Sequence, residues 1–317
     1  MENFQISLIR TFDDVFGNGE IPSPTGLVFI PKADAFLTMP SNSSTTTGIA
    51  SIEEEVIANL SIDLPASIQA VNMTFDPHFN RLLGLNSSGN QLIEIQADSS
   101  GNLNQSTQKK IDVKFLGIKN ARGISVASDG TLYVLDGTAK EIIRLKPSAD
   151  GSFEESTVAR IEIPSKINNP RRIAFNSNTG NLHITNFPQQ ELFELSQQDE
   201  IVAVRDLSTL GIRQPESLVF APSGDLTDDP NQLSLYVADS APNSGGIAEL
   251  SWVELVEASQ IQSRAAVTNN SSLVQTINTS QFLPASFSQQ GLLISTFLIL
   301  CISITLKLIK YSSRING

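Results

Sequence analysis

The feature that most constrains this chain is a unit of about fifty residues that recurs five times. The copies start at Pro24 (PTGLVFIPKADAFLTM), Ala70 (AVNMTFDPHFNRLLGL), Ala121 (ARGISVASDGTLYVLD), Pro170 (PRRIAFNSNTGNLHITN) and Pro215 (PESLVFAPSGDLTDDPNQLSLYVAD). One apolar anchor falls at Phe29, Phe75, Val126, Phe175 and Phe220, with spacings of 46, 51, 49 and 45. A second falls at Phe36, Leu82, Leu132, Leu182 and Leu235, spaced 46, 50, 50 and 53. Two anchor sets sharing one period indicate a repeat architecture rather than chance.

Each unit has the same internal order. A short apolar strand such as Gly123-Ile124-Ser125-Val126 leads into a polar turn, Ser128-Asp129-Gly130 or Asn178-Thr179-Gly180. Asn, Asp and Gly tolerate the backbone such turns need. A second strand follows (Leu132-Tyr133-Val134-Leu135), then a third (Leu192-Phe193-Glu194-Leu195), then a more polar fourth (Thr157 to Ile163). Period-2 alternation marks the later strands. Four antiparallel strands in 45–50 residues make a propeller blade. The expectation is an all-β fold, a β-propeller of about six four-stranded blades.

The segments Gly123 to Gly130 with Leu132 to Asp136, and Leu235-Tyr236-Val237-Ala238-Asp239, resemble NHL-type and TolB-like six-bladed propellers, the broad group that includes senescence-marker-like lactonases. The resemblance covers residues 20–255 and speaks to fold far more than to activity. It implies six blades, and five are visible. Ser7 to Phe12 resembles Ser272 to Ile277, displaced by 265 residues, so the chain restarts its own beginning. Two readings stand for the apolar tail. Residues 290–311 supply inner strands of a sixth, divergent blade whose edge is the N-terminal strand 5–12, or residues 291–309 form a transmembrane helix. Residues 291–306 carry no charge, and Lys307, Lys310 and Arg314 follow, which would hold the C-terminus on the cytoplasmic side. The expected domains are a propeller over 1–285 and an apolar segment over 286–317. A further reading makes the chain part of a longer tandem-propeller protein. Residues 253–271 are the one helix-like stretch, read first as an elaborated blade connection, with a partner-binding helix as the alternative.

A net charge of −12 argues against nucleic acid as a partner. A single cysteine, Cys301, excludes a disulfide within the chain and a Cys-based zinc site. Only 17% of residues are charged, which suits an extracytoplasmic or membrane-associated β protein, although residues 1–16 lack the pattern of a secretory signal. Asn-x-Ser/Thr triplets such as those at Asn42, Asn86 and Asn104 are explained by the abundance of Asn and Ser.

The lactonase resemblance implies one divalent cation, Ca2+ among the candidates and none assured by the residues themselves, held near the channel mouth by a Glu, Asn residues and an Asp. Asp239 matches the Asp, and Asn243 lies in the loop after it; the family's early Glu-Gly-Pro element is replaced by Pro24-Thr25-Gly26. A hard cation wants more oxygens than these two residues supply. The competing reading has Asp136, Asn186 and Asp239 bracing turns at strand ends. Arg171 and Arg172 are candidates to face an anion at the channel entrance. Asp225, Asp228 and Asp229 read as a solvated hairpin loop, and Glu53 to Glu55 as a solvated strand end. His78 and His183 have no nucleophile beside them in sequence, so packed or solvated strand histidines are expected. The preferred function is a non-enzymatic binding or scaffold propeller presenting loop surfaces to a protein or carbohydrate; the alternative is a divalent-cation-dependent lactone or ester hydrolase.

Overall fold

A computed structural model describes residues 4–12, 24–40, 45–50, 56–57, 60, 62–64, 68–86, 88–223, 232–239 and 246–254. Strand β1 (Phe4–Phe12) precedes the first repeat, which contains β2 (Pro24–Ile30), β3 (Ala35–Pro40), β4 (Thr47–Ala50) and β5 (Val56–Ile57). The second repeat contains β6 (Ile68–Asp76), β7 (Arg81–Asn86), β8 (Gln91–Gln96) and β9 (Lys109–Asp112). The third contains β10 (Ala121–Val126), β11 (Leu132–Asp136), β12 (Glu141–Pro147) and β13 (Phe153–Glu162). The fourth contains β14 (Pro170–Asn176), β15 (Asn181–Asn186), β16 (Glu191–Leu195) and β17 (Ile201–Asp206). The fifth contains β18 (Pro215–Pro222), β19 (Leu233–Asp239) and β20 (Gly246–Glu254).

The four complete repeats form four antiparallel sheets, each in sequence order. The fifth sheet runs β1-β20-β19-β18, so the N-terminal strand is its outer member. The expected all-β propeller is present. Its first strands pack side by side in the order β2, β6, β10, β14, β18, and β18 returns to β2. The described ring therefore closes on five blades where about six were expected, and β1 completes the fifth blade rather than the edge of a sixth. Its pairing with β20 consumes two strand edges that would otherwise be exposed.

The two sequence anchors are cross-strand partners. Phe29 pairs with Phe36, Phe75 with Leu82, Val126 with Leu132, Phe175 with Leu182 and Phe220 with Leu235. One register therefore holds in all five sheets. Each first strand also opens with a bulge: pairing shifts between Ala121 and Gly123, between Pro170 and Arg172, and between Pro215 and Ser217. Turns follow the Gly and Asn signals, as at Gly130 (φ 81°) and Asn80 (φ 53°).

Among the described residues the apolar clusters lie between neighbouring blades rather than within one. Leu37 and Phe75 share one cluster, Leu83 and Val134 the next, Leu135 and Phe193 a third, and Leu192 and Leu235 a fourth. A fifth cluster, with Leu27, Phe36, Tyr236 and Ala238, joins the last blade to the first. There Phe36 lies 4.5 Å from the Tyr236 ring, and the Ser217 hydroxyl donates to the Leu27 carbonyl at 3.3 Å. A four-stranded sheet leaves two apolar faces, and only a neighbour on each side removes both from water, which is why the units associate into a ring.

The compact unit runs Met1–Leu255. Val253 and Glu254 belong to β20, and the rest of the helix-like stretch lies outside the described residues, as do the restart at Ser272 and both readings of 286–317. Among the described residues no helix is long and apolar enough to cross a membrane.

Candidate functional site: the central channel

The five first strands line a channel whose two ends differ. At the end where they turn into the second strands is a cavity of about 290 Å³. Its exposed rim is Pro31, Pro77, Ser128 and Ser177, with Pro222 half-buried. Below the rim the anchor residues Phe29, Phe75, Val126, Phe175 and Phe220 form one level. Val28, Thr74, Ser125, Ala174 and Val219 form the next, with Leu27, Met73, Ile124 and Leu218 beneath them. No charged side chain is among the described residues lining it. Tyr133 stacks on Phe175 at 5.7 Å, and the edge of His183 meets Phe220 at 4.8 Å, so two of these walls are held from behind.

At the other end the first strands begin, and Arg172 spans three of them. Its side chain is buried, 5% exposed for the residue as a whole. The guanidinium donates to the Arg122 carbonyl at 3.1 Å, to the Arg171 carbonyl at 2.8 Å, and to both the carbonyl and the carboxylate of Glu216. An arginine engaged on every side is a clasp between β10, β14 and β18. Arg171 is half-buried with its guanidinium 4.7 Å from the centre of the Phe187 ring. Thus of the two arginines suggested for an anion, Arg172 is committed to protein groups and Arg171 stacks on an aromatic ring.

Asp239 is buried at the end of β19. Its Oδ2 accepts from the Arg213 N–H at 3.0 Å and its Oδ1 from the Gln214 N–H at 2.7 Å. Equivalent positions do the same work in other blades. Asp136 accepts from the Lys119, Thr138 and Ala139 N–H groups at 2.8, 2.9 and 3.1 Å. Asn186 accepts from the Asn169 N–H at 2.9 Å. In blades three, four and five these side chains fasten the loop entering the first strand to the end of the second. Asn243, Asp225, Asp228, Asp229 and Glu53 to Glu55 lie outside the described residues. Among those described, no three His, Cys, Asp or Glu side chains gather as a metal site.

The two histidines are separate. His78 is exposed in the β6–β7 turn, its ring 4.6 Å from Phe79. His183 is fully buried on β15, and burial pushes its pKa down to about 4, so it is neutral at pH 7. Its Nε2 lies 3.7 Å from Glu194, which also receives Asn181 at 2.7 Å and Arg205 at 2.9 Å. Burial raises the Glu194 carboxyl, but His183, Asn181 and Arg205 together hold it below its ordinary value. A second buried ion cluster joins Arg81 to Asp76 at 3.0 Å and to Glu94 at 2.7 Å. It sits where blade two meets Phe153 of blade three, and Asp76 also accepts the His78 and Phe79 N–H groups.

The cavity itself was not singled out in the sequence, although its signal was there: the first anchor set names its wall. Ser125 and Glu216 carried no such signal, because their partners are 50 and 44 residues away.

No protein-family model matches the chain, and no curated protein matches it. Solved structures do. Glutaminyl cyclase from Myxococcus xanthus matches with a TM-score of 0.54 at 13% identity, covering 80% of this chain and 99% of that one. The PQQ-bound aldose sugar dehydrogenase from Streptomyces coelicolor matches with a TM-score of 0.52 at 12% identity, covering 80% and 99%. A calcium-binding regucalcin from Agrobacterium tumefaciens, at a TM-score of 0.48 and 10% identity, covers 77% of this chain and 94% of its own, too remote to carry an argument. At such identities the likeness is one of fold alone. The chain is a β-propeller with a largely apolar cavity at one channel mouth and an arginine clasp at the other.

Proposed function

We propose that this chain is a non-enzymatic binding propeller that takes its partner at the mouth framed by Pro31, Pro77, Ser128, Ser177 and Pro222. The observation supporting this reading is the cavity beneath that rim, lined from all five blades. Such concave, mainly apolar sites with a few polar groups are the usual form of a binding pocket. A protein partner suits it better than a carbohydrate. Sugar hydroxyls call for several amide or carboxylate side chains, and the polar side chains here are the hydroxyls of Thr74, Ser125, Ser128 and Ser177. In the hydrolase reading Asp239 would have to meet a cation with the lone pairs left over from its two backbone N–H partners, and among the described residues no pair of carboxylates or histidines gathers with it.

A photoreactive amino acid placed at Ser177 or Ser128 tests this, with Val202 on the outer strand β17 as the control position. The reading expects one discrete adduct from the rim positions and none from Val202. Adducts at Val202 alone, or the same adducts from all three positions, would overturn it. Calcium-dependent hydrolysis of a simple lactone that is lost in Asp239→Asn would favour the alternative.

A further inference from the structure

We infer that the cavity is a receptor for an uncharged, ring-sized apolar group that carries one hydrogen-bond acceptor, admitted because blade three has Val126 where the other four blades have Phe. The inference rests on the binding reading above and names the group the mouth accepts.

Three observations lead to it. The first is the anchor level. Phe29, Phe75, Phe175 and Phe220 occupy one position in four blades, and Val126 occupies it in the third. All five anchors line the cavity and also pack into the clusters between neighbouring blades, Val126 with residues of blades two and three. The shorter side chain leaves room on the blade-three side, and the registers around it are unchanged, since Val126 pairs with Leu132 as the phenylalanines pair with their own partners.

The second is chemical. With no charged residue in the described lining, an ion entering the cavity would lose hydration and gain no counter-charge, which is strongly unfavourable. An aromatic or alicyclic ring loses nothing. At about 290 Å³ the space is at the small end of ligand pockets, and an apolar cavity of roughly half that volume accepts benzene. One or two rings is the matching size.

The third is Ser125, one level below Val126. Its oxygen accepts the Phe175 N–H across the blade boundary at 2.9 Å. That bond fixes the hydroxyl at the cavity wall and leaves its proton without an acceptor among the described residues. A carbonyl or ether on the ligand would take it. Thr74 lies at the same level on blade two and offers a second hydroxyl. A free cyclic ketone satisfies this description. So does the ring of a partner's Trp or Phe with its adjoining peptide carbonyl.

The test is ligand-detected NMR or calorimetry on the full chain with four probes: 1-indanone, indane, indane-1-carboxylate and N-acetyltryptophanamide. Wild type should bind 1-indanone with a dissociation constant on the order of 0.1–1 mM. Indane, lacking the acceptor, should bind about tenfold more weakly. The carboxylate should not bind. Val126→Phe should weaken both neutral rings at least tenfold while still unfolding cooperatively well above the assay temperature; Val126 packs in the cluster between blades two and three, where a larger side chain costs some stability. In Ser125→Ala the preference for ketone over hydrocarbon should vanish. That ratio is read within one variant, so a change in stability does not affect it. N-acetyltryptophanamide binding more tightly than 1-indanone assigns the group to a protein side chain, and the reverse order to a small molecule. Equal binding to Val126→Phe and wild type, binding of the carboxylate as tight as the ketone, or no neutral probe bound at 5 mM would overturn the inference. The rim cross-links would still stand in those cases, so the ligand class can fail without the binding reading.

Discussion

Replacing Arg172 with Met should destabilise the ring without opening a large void, because Met keeps most of the stem and loses the guanidinium. Wild-type Arg172 makes four hydrogen bonds onto three consecutive first strands, and its ion pair with Glu216 has a side-chain exposure of 6% on the arginine and 21% on the glutamate. Removing one partner of a buried pair costs about 3–5 kcal/mol, largely through the charge left behind. Glu216 can recover some water at its exposure, which puts the expected loss at about 3–4 kcal/mol. For a unit of this size that corresponds to a melting-point drop of roughly 6–15 °C. Thermal unfolding with a circular dichroism readout measures it. Combining Arg172→Met with Glu216→Gln should lose about 1–2 kcal/mol less than the two single losses added together, since the stranded carboxylate is gone. A melting point within 1 °C of wild type for Arg172→Met, or strict additivity in the double variant, would refute the clasp.

Asp136→Ala removes the acceptor of three backbone N–H groups on solvent-exposed residues, while Asp136→Asn keeps an acceptor; urea titration should find a loss of about 1–2 kcal/mol for Ala and roughly half that for Asn. His183 is held near 4 by burial against an ordinary value of 6.5, so the unfolded chain binds the extra proton between those values. Stability is therefore complete above about pH 6.5 and falls by about 3 kcal/mol as pH drops towards 4. Glu194, lowered in the folded state, adds its own loss only below its ordinary value of 4.5. Melting points from pH 7.5 to 4.5 should show the slope in wild type and a flatter one in His183→Leu. Tyr236→Ala removes the aromatic contact with Phe36 where the ring closes, together with a hydrogen bond to the Pro222 carbonyl inside blade five. It should cost about 3–5 kcal/mol, and a loss below 1 kcal/mol would show that blades one and five do not pack together.

The blade pattern was legible because it is local. Both anchors of a blade sit on adjacent strands joined by a short turn, so Phe175 and Leu182 declare their pairing within eight residues. The number of blades among the described residues was not legible, because closure is decided at long range. The likeness between Ser7 and Ser272 pointed to a sixth blade, whereas β1 completes the sheet of β18 to β20 and Ser217 bonds across to Leu27. The site shows the same division. The level formed by Phe29, Phe75, Val126, Phe175 and Phe220 is readable from the repeat alone. Its meaning as a wall needs the ring, since five strands separated by some fifty residues each must converge before a cavity exists. Arg172 illustrates the limit most sharply. A doubled arginine in sequence suggests an exposed anion site, and only the approach of Glu216 and Arg122 turns one of the pair inward. Asp239, matched to a metal ligand by resemblance, sits where Asp136 and Asn186 hold the incoming loops, a role whose backbone partners in that loop are 25 and 26 residues away.

Closure by the N-terminal strand is the claim on which both the five-blade count and the channel depend, and a cross-strand disulfide tests it. Ser7 and Ser251 are direct partners in the β1–β20 pairing. Directly opposed antiparallel residues have Cα atoms within reach of a disulfide. In a Cys301→Ser background, Ser7→Cys with Ser251→Cys should oxidise to an intramolecular disulfide under mild conditions and raise the melting point, and peptide mass spectrometry should place the bond between those two positions. If both thiols stay reduced in the folded protein, β1 does not complete the fifth blade and the five-bladed ring is wrong.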